Sequence, residues 1–377
     1  MLSTVKFYRT LLASVLFVSL AATLATPESH AVQADSPDFD LVTCVAFHPN
    51  NQIIAIVGHD KLVRLWDITG PEEIATMKGH TEELQSVAFS KDGKFLISGG
   101  SDKVARLWDV SNPKKPKLIA TLEGNTDKIY GVNMSANNKL AGTAGVDNTV
   151  RIFDISKATG GGGGGGTSGS GGLTNIGGKK EGDPVPVIGV QKLRPKHTLK
   201  GHSDKVWSVS FSPDSKLIAS ASSDQKLKIW DLTLATPEEI ASEEGHSSSI
   251  LSMSFSADGK SIATAALDQK VVIWDVTDPK NPSIKHELKK HEKGVYTVSM
   301  SANGKYVASG SSDQKVHMWN ISGDEPALVA NMPGHTGSVE CVVFSPDGKW
   351  LASGSGDHTV RIWSVGQNKL TLKHTIP

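Results

Sequence analysis

The chain has no excess of charge of either sign. Its 377 residues carry 39 lysines and arginines against 39 aspartates and glutamates, which gives a formal net charge of +0. Nucleic-acid binding depends on a basic surface that neutralises phosphates, and a balanced chain provides no such surplus. We therefore expect no nucleic-acid partner.

Motifs that hold metals or activate nucleophiles are also absent. The sequence contains no zinc spacing, no haem-attachment motif, no calcium loop and no nucleophile elbow. Carboxylates are plentiful, but nothing in the sequence pairs them for acid–base chemistry. We expect no cofactor, no metal and no enzymatic activity.

Only one apolar run is longer than a β-strand. Leu11 to Ala25 follows the basic residues Lys6 and Arg9, and small residues stand near Ala31. This pattern predicts a secretory signal peptide over residues 1–31. The run is shorter than the ~20 residues that a membrane-spanning helix needs, so we expect a mature chain without a membrane span. An uncleaved anchor and an organelle transit peptide are the alternatives.

A repeated unit dominates the rest of the chain. Each unit ends in an apolar residue, an aromatic residue and a polar residue, and the aromatic positions after Trp66 follow at intervals of 42, 45, 77, 44, 45 and 44 residues. The endings are Leu65-Trp66-Asp67, Leu107-Trp108-Asp109, Ile152-Phe153-Asp154, Ile229-Trp230-Asp231, Ile273-Trp274-Asp275, Met318-Trp319-Asn320 and Ile362-Trp363-Ser364. Because one such unit cannot bury both faces of a small sheet, the units must stack on one another.

Within a unit, short alternating runs are separated by turn residues. In the fourth unit, Val206–Ser212, Leu217–Ala221 and Leu227–Trp230 predict three strands, and a fourth ends near Gly245. Lys369–Ile376 predicts the outer strand of the seventh unit. No helical periodicity follows the leader, so we expect an all-β fold with four antiparallel strands per unit.

The repeat, with Gly-His near the start of a unit and Trp-Asp at its end, resembles the WD40 family, which includes the beta subunits of heterotrimeric G proteins. The resemblance covers roughly residues 41–377 and implies a seven-bladed β-propeller, with residues 32–377 forming one domain. It also implies a protein-interaction scaffold. Most familiar members are intracellular, so the export signal suggests a periplasmic or secreted protein of a bacterium.

The resemblance further implies a hydrogen-bonded tetrad in each complete unit, in which a His contacts an Asp and a hydroxyl residue that reaches the Trp indole. Five units carry complete sets, which are His80, Ser98, Asp102 and Trp108; His202, Ser220, Asp224 and Trp230; His246, Thr264, Asp268 and Trp274; His291, Ser309, Asp313 and Trp319; and His335, Ser353, Asp357 and Trp363. The third unit has Asn125 and Phe153 instead of His and Trp, and the first has Ile56 at the hydroxyl position. Ser, His and Asp also suggest a hydrolase triad, but a catalytic site needs one exposed constellation and not five internal ones.

The long interval between the third and fourth aromatic positions contains a biased segment at about residues 157–190. It includes an unbroken glycine run, Gly160–Gly166, followed by more Gly and Ser. Such a composition buries too little apolar area to offset the entropy of ordering it. We predict a flexible insertion between the third and fourth strands of the third blade. A phosphate-binding loop would require a following helix and a Gly-Lys-Ser/Thr ending, which are missing.

The two cysteines, Cys44 and Cys341, occupy the same position of the first and seventh units. Ring closure would make these units neighbours. Equivalent side chains point the same way around a ring, so we expect the thiols to follow one another at a distance too long for a disulfide. A disulfide across the seam is the alternative, and the sequence does not decide between them.

In WD40 propellers the usual partner surface is the narrower face, formed where the inner strands begin and by the turn that holds the tetrad Asp. The resemblance places an apolar and aromatic arc there, consisting of Tyr130, Val146, Trp207, Leu251, Leu267 and Tyr296, with Glu82, Glu83 and Glu340 on the other side. Aromatic anchors on a rigid ring suit protein recognition, so we expect a monomeric propeller that binds a protein or peptide. Two alternatives stay open: the arc only caps the channel, or the channel holds the site of a lactonase-like hydrolase.

Overall fold

The computed structural model describes residues 41–160 and 190–377. The predicted signal peptide and most of the glycine-rich insertion lie outside these residues. The described part of the chain is all-β and forms seven blades, as predicted. No helix in these ranges is long and apolar enough to cross a membrane.

Each blade is built from consecutive strands that run from the centre outwards. Blade 1 contains β1 (Val42–Phe47), β2 (Ile53–Gly58), β3 (Val63–Asp67) and β4 (Glu72–Met77). Blade 2 contains β5 (Leu84–Phe89), β6 (Phe95–Gly100), β7 (Ala105–Asp109) and β8 (Lys117–Leu122). Blade 3 contains β9 (Ile129–Met134), β10 (Leu140–Gly145) and β11 (Thr149–Asp154); after β12 (Gln191–Leu193), it is completed by β13 (His197–Lys200).

The remaining blades use contiguous segments. Blade 4 contains β14 (Val206–Phe211), β15 (Leu217–Ser222), β16 (Lys226–Asp231) and β17 (Glu238–Glu244). Blade 5 contains β18 (Ile250–Phe255), β19 (Ser261–Ala266), β20 (Lys270–Asp275) and β21 (Ser283–Lys289). Blade 6 contains β22 (Val295–Met300), β23 (Tyr306–Ser311), β24 (Val316–Asn320) and β25 (Ala327–Met332). Blade 7 contains β26 (Val339–Phe344), β27 (Trp350–Ser355), β28 (Val360–Gly366) and β29 (Lys369–Ile376).

Two tight turns in every blade require left-handed backbone. The turn between the first and second strands holds one such residue, with φ between 57° and 74°, at Asn51, Gly93, Asn138, Ser215, Gly259, Gly304 and Gly348. Asn and Gly dominate this set because they adopt positive φ at low cost. The next turn repeats the feature directly after the Asp position, at Lys61, Lys103, Asn148, Gln225, Gln269, Gln314 and His358.

The aromatic residue that ends each third strand packs against the preceding blade. Trp108 lies among blade 1 residues such as Val57 and Leu65, and Trp274 lies among blade 4 residues. Trp66 of blade 1 packs in the same way against Ile362 and Ile376 of blade 7. This contact closes the ring. Among the described residues no strand is exchanged between these two blades, so closure depends on side-chain packing.

Blade 2 has a fifth strand that the sequence did not predict. After the insertion, β12 pairs in parallel with β8, with Lys192 opposite Thr121. The N–H of Glu123 donates to the carbonyl of Leu193 over 2.9 Å, and the Glu123 carboxylate pairs with Lys192 and Arg194. The chain thus touches blade 2 before it returns to finish blade 3.

Candidate partner-binding face

The face on which the inner strands begin, called here the top face, is held together by one recurring backbone bond. In every blade the residue before the Asp position donates its N–H to the carbonyl of the residue immediately before the inner strand, over 2.8–3.1 Å. The donors are His59, Ser101, Val146, Ser223, Leu267, Ser312 and Gly356. This bond holds each donor close to the second residue of the inner strand in its own blade. These second residues are Thr43, Gln85, Tyr130, Trp207, Leu251, Tyr296 and Glu340.

Blades 3 and 4 contribute the aromatic part of the arc. The rings of Tyr130 and Trp207 lie with their centroids 4.1 Å apart at an angle of 37°. The Trp207 indole donates to the Ser223 hydroxyl over 2.6 Å, so the ring has a fixed orientation. Both side chains are half-buried. Val146 is half-buried. Its N–H donates to the carbonyl of Lys128, two residues before Tyr130, which keeps it near that residue.

Blades 5 and 6 contribute the aliphatic part. Leu267 is one of the few large hydrophobic side chains with substantial exposure, at 41%. A Cβ atom placed on Gly294 would lie 2.7 Å from Leu267 Cδ2 and 3.6 Å from Tyr296 Cε1. Glycine at this position therefore lets Leu267 lie over the backbone beside Tyr296. Leu251 lines the channel mouth between the two parts of the arc.

The seven inner strands surround a central cavity of about 450 Å³. Its lining among the described residues includes one carboxylate, Glu340, and no histidine. Burial raises the pKa of Glu340, while a hydrogen bond from Ser338 and the nearby His59 act in the opposite direction. In the part of the chain that the structure covers, no group of three or more His, Cys, Asp or Glu residues gathers at metal-binding distance.

The tetrad residues form the hydrogen-bonded sets that the family resemblance implied. In all five complete units the His Nδ1 atom lies 2.8–3.0 Å from the Asp carboxylate, and Nε2 lies 2.8 Å from the hydroxyl oxygen. The Trp indole donates to the same hydroxyl over 2.9–3.2 Å. The hydroxyl residues are completely buried. These groups are internal, and none of them is available to a substrate.

The tetrads also set the charge state of their carboxylates. Desolvation alone would raise the pKa of Asp102, but the hydrogen bond and charge of His80 and the neighbouring Arg106 lower it to about 2. Asp224 and Asp357 have pKa values of about 2 for similar reasons. Burial lowers the pKa of His80 and His335. The network therefore holds an ionised Asp at neutral pH.

In blades 1 and 3, which lack the tetrad His, an arginine pairs with the turn Asp, as Arg106 also does in the complete blade 2. In blade 3, Arg151 contacts Asp147 over 2.7 Å and Thr143 donates to Asn125 over 2.8 Å. In blade 1, Arg64 pairs with Asp60 over 2.9 Å. In both blades the turn carboxylate keeps a positively charged partner although no His is present.

The two thiols lie closer together than the sequence predicted. Cys44 and Cys341 are free, and their Sγ atoms are 3.9 Å apart. The expectation of free thiols agrees with this, although the two sulfur atoms are near neighbours rather than remote from each other. Both side chains do point the same way around the ring, but Cys341 reaches into blade 1 and meets Cys44 there.

Sequence reasoning did not predict two contacts on the top face. Ser223 orients the indole of Trp207, and Gly294 makes room for Leu267. Register along the repeat places these residues, but side-chain contacts between neighbouring positions leave no mark in a single sequence.

Comparison with known proteins supports the repeat assignment. The family model described as WD domain, G-beta repeat matches residues 28–67, 71–109, 116–154, 193–231, 237–275, 282–320 and 326–364. Similar curated proteins include striatin-4 of Homo sapiens, 46% identical over 41 residues, which are 11% of this chain and 5% of striatin-4. A Notchless protein homolog of Arabidopsis thaliana is 44% identical over 52 residues, 13% of this chain and 11% of the relative.

A probable cytosolic iron-sulfur protein assembly protein CIAO1 homolog of Chlamydomonas reinhardtii is 40% identical over 47 residues, 12% of this chain and 13% of the relative. The matched segments are therefore about one repeat long and span only a small part of each relative. The seven family-model matches, in contrast, together cover more than half of the chain. With seven blades and the tetrads in place, the chain belongs to the WD40 family of G-beta repeat propellers.

Proposed function

We propose that this propeller is a non-enzymatic scaffold that binds a protein or peptide segment on the arc formed by Tyr130, Val146, Trp207, Leu251, Leu267 and Tyr296. WD40 propellers are typically interaction scaffolds. The observation that carries the proposal is the apolar side chains at the mouth of the channel. They include the adjacent rings of Tyr130 and Trp207 and the exposed Leu267 near Gly294.

The arc combines rigid anchors with a space to fill. Binding energy at protein interfaces concentrates in a few aromatic side chains that are held in place before the partner arrives. Ser223 holds Trp207 in this way through the indole N–H. The cavity of about 450 Å³ beneath the mouth could accept an apolar side chain of the partner.

Glu340 indicates the charge of the partner. It lies on the same rim, and its burial raises its pKa. A lysine or arginine of the partner would relieve the cost of keeping this carboxylate desolvated. We therefore propose a segment with an apolar anchor and a neighbouring basic residue.

Affinity capture with the full chain as bait, followed by mass spectrometry and binding measurements on the purified partner, tests the proposal. Trp207→Ala combined with Tyr296→Ala should weaken binding at least about tenfold, as expected for loss of anchor residues. Unchanged affinity in a folded double variant would contradict the proposal.

A matched pair of leucines provides the control. Leu267 on the arc and Leu234, which follows β16 at the opposite, bottom face, are 41% and 44% exposed. Leu267→Ala should weaken binding, whereas Leu234→Ala should not. Equal losses would show that binding does not depend on the top face.

We also propose that the protein is exported to the periplasm or the medium, from the pattern of residues 1–31. N-terminal sequencing of the protein from its native host tests this point separately. A mature N-terminus near residue 32, or an earlier one following Ala25, supports export. A chain that retains Met1 in the cytosolic fraction contradicts it.

A further inference from the structure

One position of the inner strands repeatedly links neighbouring blades. It is the third residue of the inner strand, whose side chain in several blades accepts a hydrogen bond from the backbone of the next blade. Ser86 accepts from the N–H of Val132 and Ser252 from that of Val298, both over 3.2 Å. Thr297 accepts from the N–H of Val342 over 3.0 Å.

At the junction of blades 7 and 1, cysteine occupies this position. Cys341 accepts the N–H of Val45 over 3.3 Å through its sulfur. Because Cys44 holds the equivalent position of blade 1 directly before Val45, the same geometry brings the two Sγ atoms to 3.9 Å. Cys44 and Cys341 are the two cysteines of the chain. They lie at the junction where, among the described residues, the ring closes without a shared strand.

We propose that Cys44 and Cys341 form a redox site whose oxidation closes the ring with a disulfide. The reaction is thiol–disulfide exchange with an external disulfide, either a small molecule or an oxidoreductase. The Cys44 thiolate attacks that disulfide, forming a mixed disulfide and releasing one thiol. The Cys341 thiolate then attacks the Cys44 sulfur and releases the second thiol. Two protein thiols are oxidised, one external disulfide is reduced, and the two protons pass to the released thiolates.

Access and acidity both favour Cys44 as the first nucleophile. Cys44 is half-buried and Cys341 is buried, and both residues line the central cavity. Hydrogen bonding from the Cys341 thiol lowers the pKa of Cys44, and the same contact with burial raises the pKa of Cys341. A thiolate is the reactive form, so the more accessible sulfur is also the more reactive one.

The disulfide would join residues that are 297 positions apart in the chain. It would prevent blades 1 and 7 from separating at the junction where, among the described residues, they share no strand. A cross-link over such a long loop restricts the unfolded chain strongly. The oxidised protein should therefore be more stable than the reduced one. The inference does not depend on the partner proposed for the top face.

The test is to equilibrate the folded full-length chain with oxidised glutathione and compare it with the reduced chain. Both thiols should be lost to titration, and digestion should yield one peptide linking Cys44 to Cys341. The midpoint of thermal unfolding should rise by several degrees. Persistence of both thiols in the folded chain, or a linked peptide without a rise in the midpoint, would overturn the proposal.

Cys44→Ser and Cys341→Ser are matched controls, because serine stands at the same position in Ser86 and Ser252 and keeps the inter-blade acceptor. Each variant should end as a stable glutathione adduct or an unreacted thiol, with no rise in the midpoint on oxidation. An equal rise in either variant would show that the added stability does not come from the bond between the two cysteines.

Discussion

Tyr130 and Trp207 join blades 3 and 4 at the top face, with ring centroids 4.1 Å apart. The contact is close because Gly131 follows Tyr130. A Cβ atom at Gly131 would lie 3.0 Å from the carbonyl oxygen of Trp207, which is tighter than a side chain normally tolerates. The inner strands β9 and β14 can therefore approach each other closely, and the rings of Tyr130 and Trp207 come into contact.

The ring contact should contribute to folding stability as well as to binding. We expect Tyr130→Ala and Trp207→Ala to be non-additive, with a coupling of about 0.5–1.5 kcal/mol, which is typical for aromatic pairs. Urea unfolding of the wild type, both single variants and the double variant measures this coupling. Additive free energies of unfolding would mean that the rings are adjacent without interacting.

The tetrad hydroxyls should be far more sensitive than exposed ones. Ser98 is completely buried and joins His80 to the indole of Trp108. Ser98→Ala removes one hydroxyl and leaves two buried groups without a partner, so we expect a loss of roughly 1–3 kcal/mol in the free energy of unfolding. Chemical denaturation measures it.

Ser111 provides the control for this substitution. Its hydroxyl is exposed and donates to the carboxylate of the half-buried Asp109. Ser111→Ala should change the free energy of unfolding by less than about 0.5 kcal/mol. A similar loss of unfolding free energy in the two variants would show that the contribution of the tetrad hydrogen bonds does not depend on their burial.

The fold was predictable because every unit repeats the same local pattern. The predicted strand Leu217–Ala221 corresponds to β15, and the predicted outer strand Lys369–Ile376 is β29. The alternation of side chains fixes which face of each strand is buried, and the turn residues fix where it ends. Strand β12 was not predictable, because three residues carry no period and the parallel pairing with β8 spans a long insertion.

The candidate site was predictable only as a set of positions. Register placed Leu267 and Tyr296 on the same face, but the approach of the Leu267 side chain to Gly294 depends on side-chain reach. The cysteines illustrate the same limit. Their equivalent positions gave the direction of each side chain, while the length of the Cys341 side chain brought its sulfur to Cys44. Distances between blades are set by packing, which one sequence does not encode in a readable pattern.

Strand β12 should be held weakly and locally. Glu123 is its charged anchor, and the paired Lys192 and Arg194 side chains are 75% and 72% exposed. Exposed ion pairs contribute only about 0–1 kcal/mol. Glu123→Gln should therefore speed amide exchange across residues 191–194 and leave the global free energy of unfolding unchanged within about 0.5 kcal/mol.

Glu244→Gln is the matched control, because Glu244 pairs with Lys226 at the edge of blade 4 over 3.1 Å. It should leave exchange in β12 unaltered. If Glu123→Gln lowers the global stability by several kcal/mol, β12 is an integral part of blade 2 and not an attached edge.

His317 should make the propeller sensitive to mild acid. It is buried, and its ring stacks on His291 with centroids 3.9 Å apart. Desolvation and the adjacent His291, with a smaller effect of Lys315, lower the pKa of His317 to about 4, although Asp313 and Asn331 act in the opposite direction. The unfolded chain protonates this residue near pH ~6.5, so the folded state loses stability as the pH falls from about 6.5 to about 4. The loss should be on the order of 2–3 kcal/mol.

Blade 5 supplies the matched substitution for this test. Val272 stands opposite the tetrad residue Thr264, as His317 stands opposite Ser309. In His317→Val, the free energy of unfolding measured by urea titration should fall less between pH 6.5 and 4, although His80 and His335, whose pKa values are also lowered, still contribute there. The tetrad aspartates serve as an internal reference, because pKa values of about 2 for Asp102, Asp224 and Asp357 confine their loss of stability to the range from about pH 4 down to about 2. Both proteins should therefore weaken alike below pH 4, and an unchanged slope above pH 4 in the variant would assign the acid sensitivity to a group other than His317.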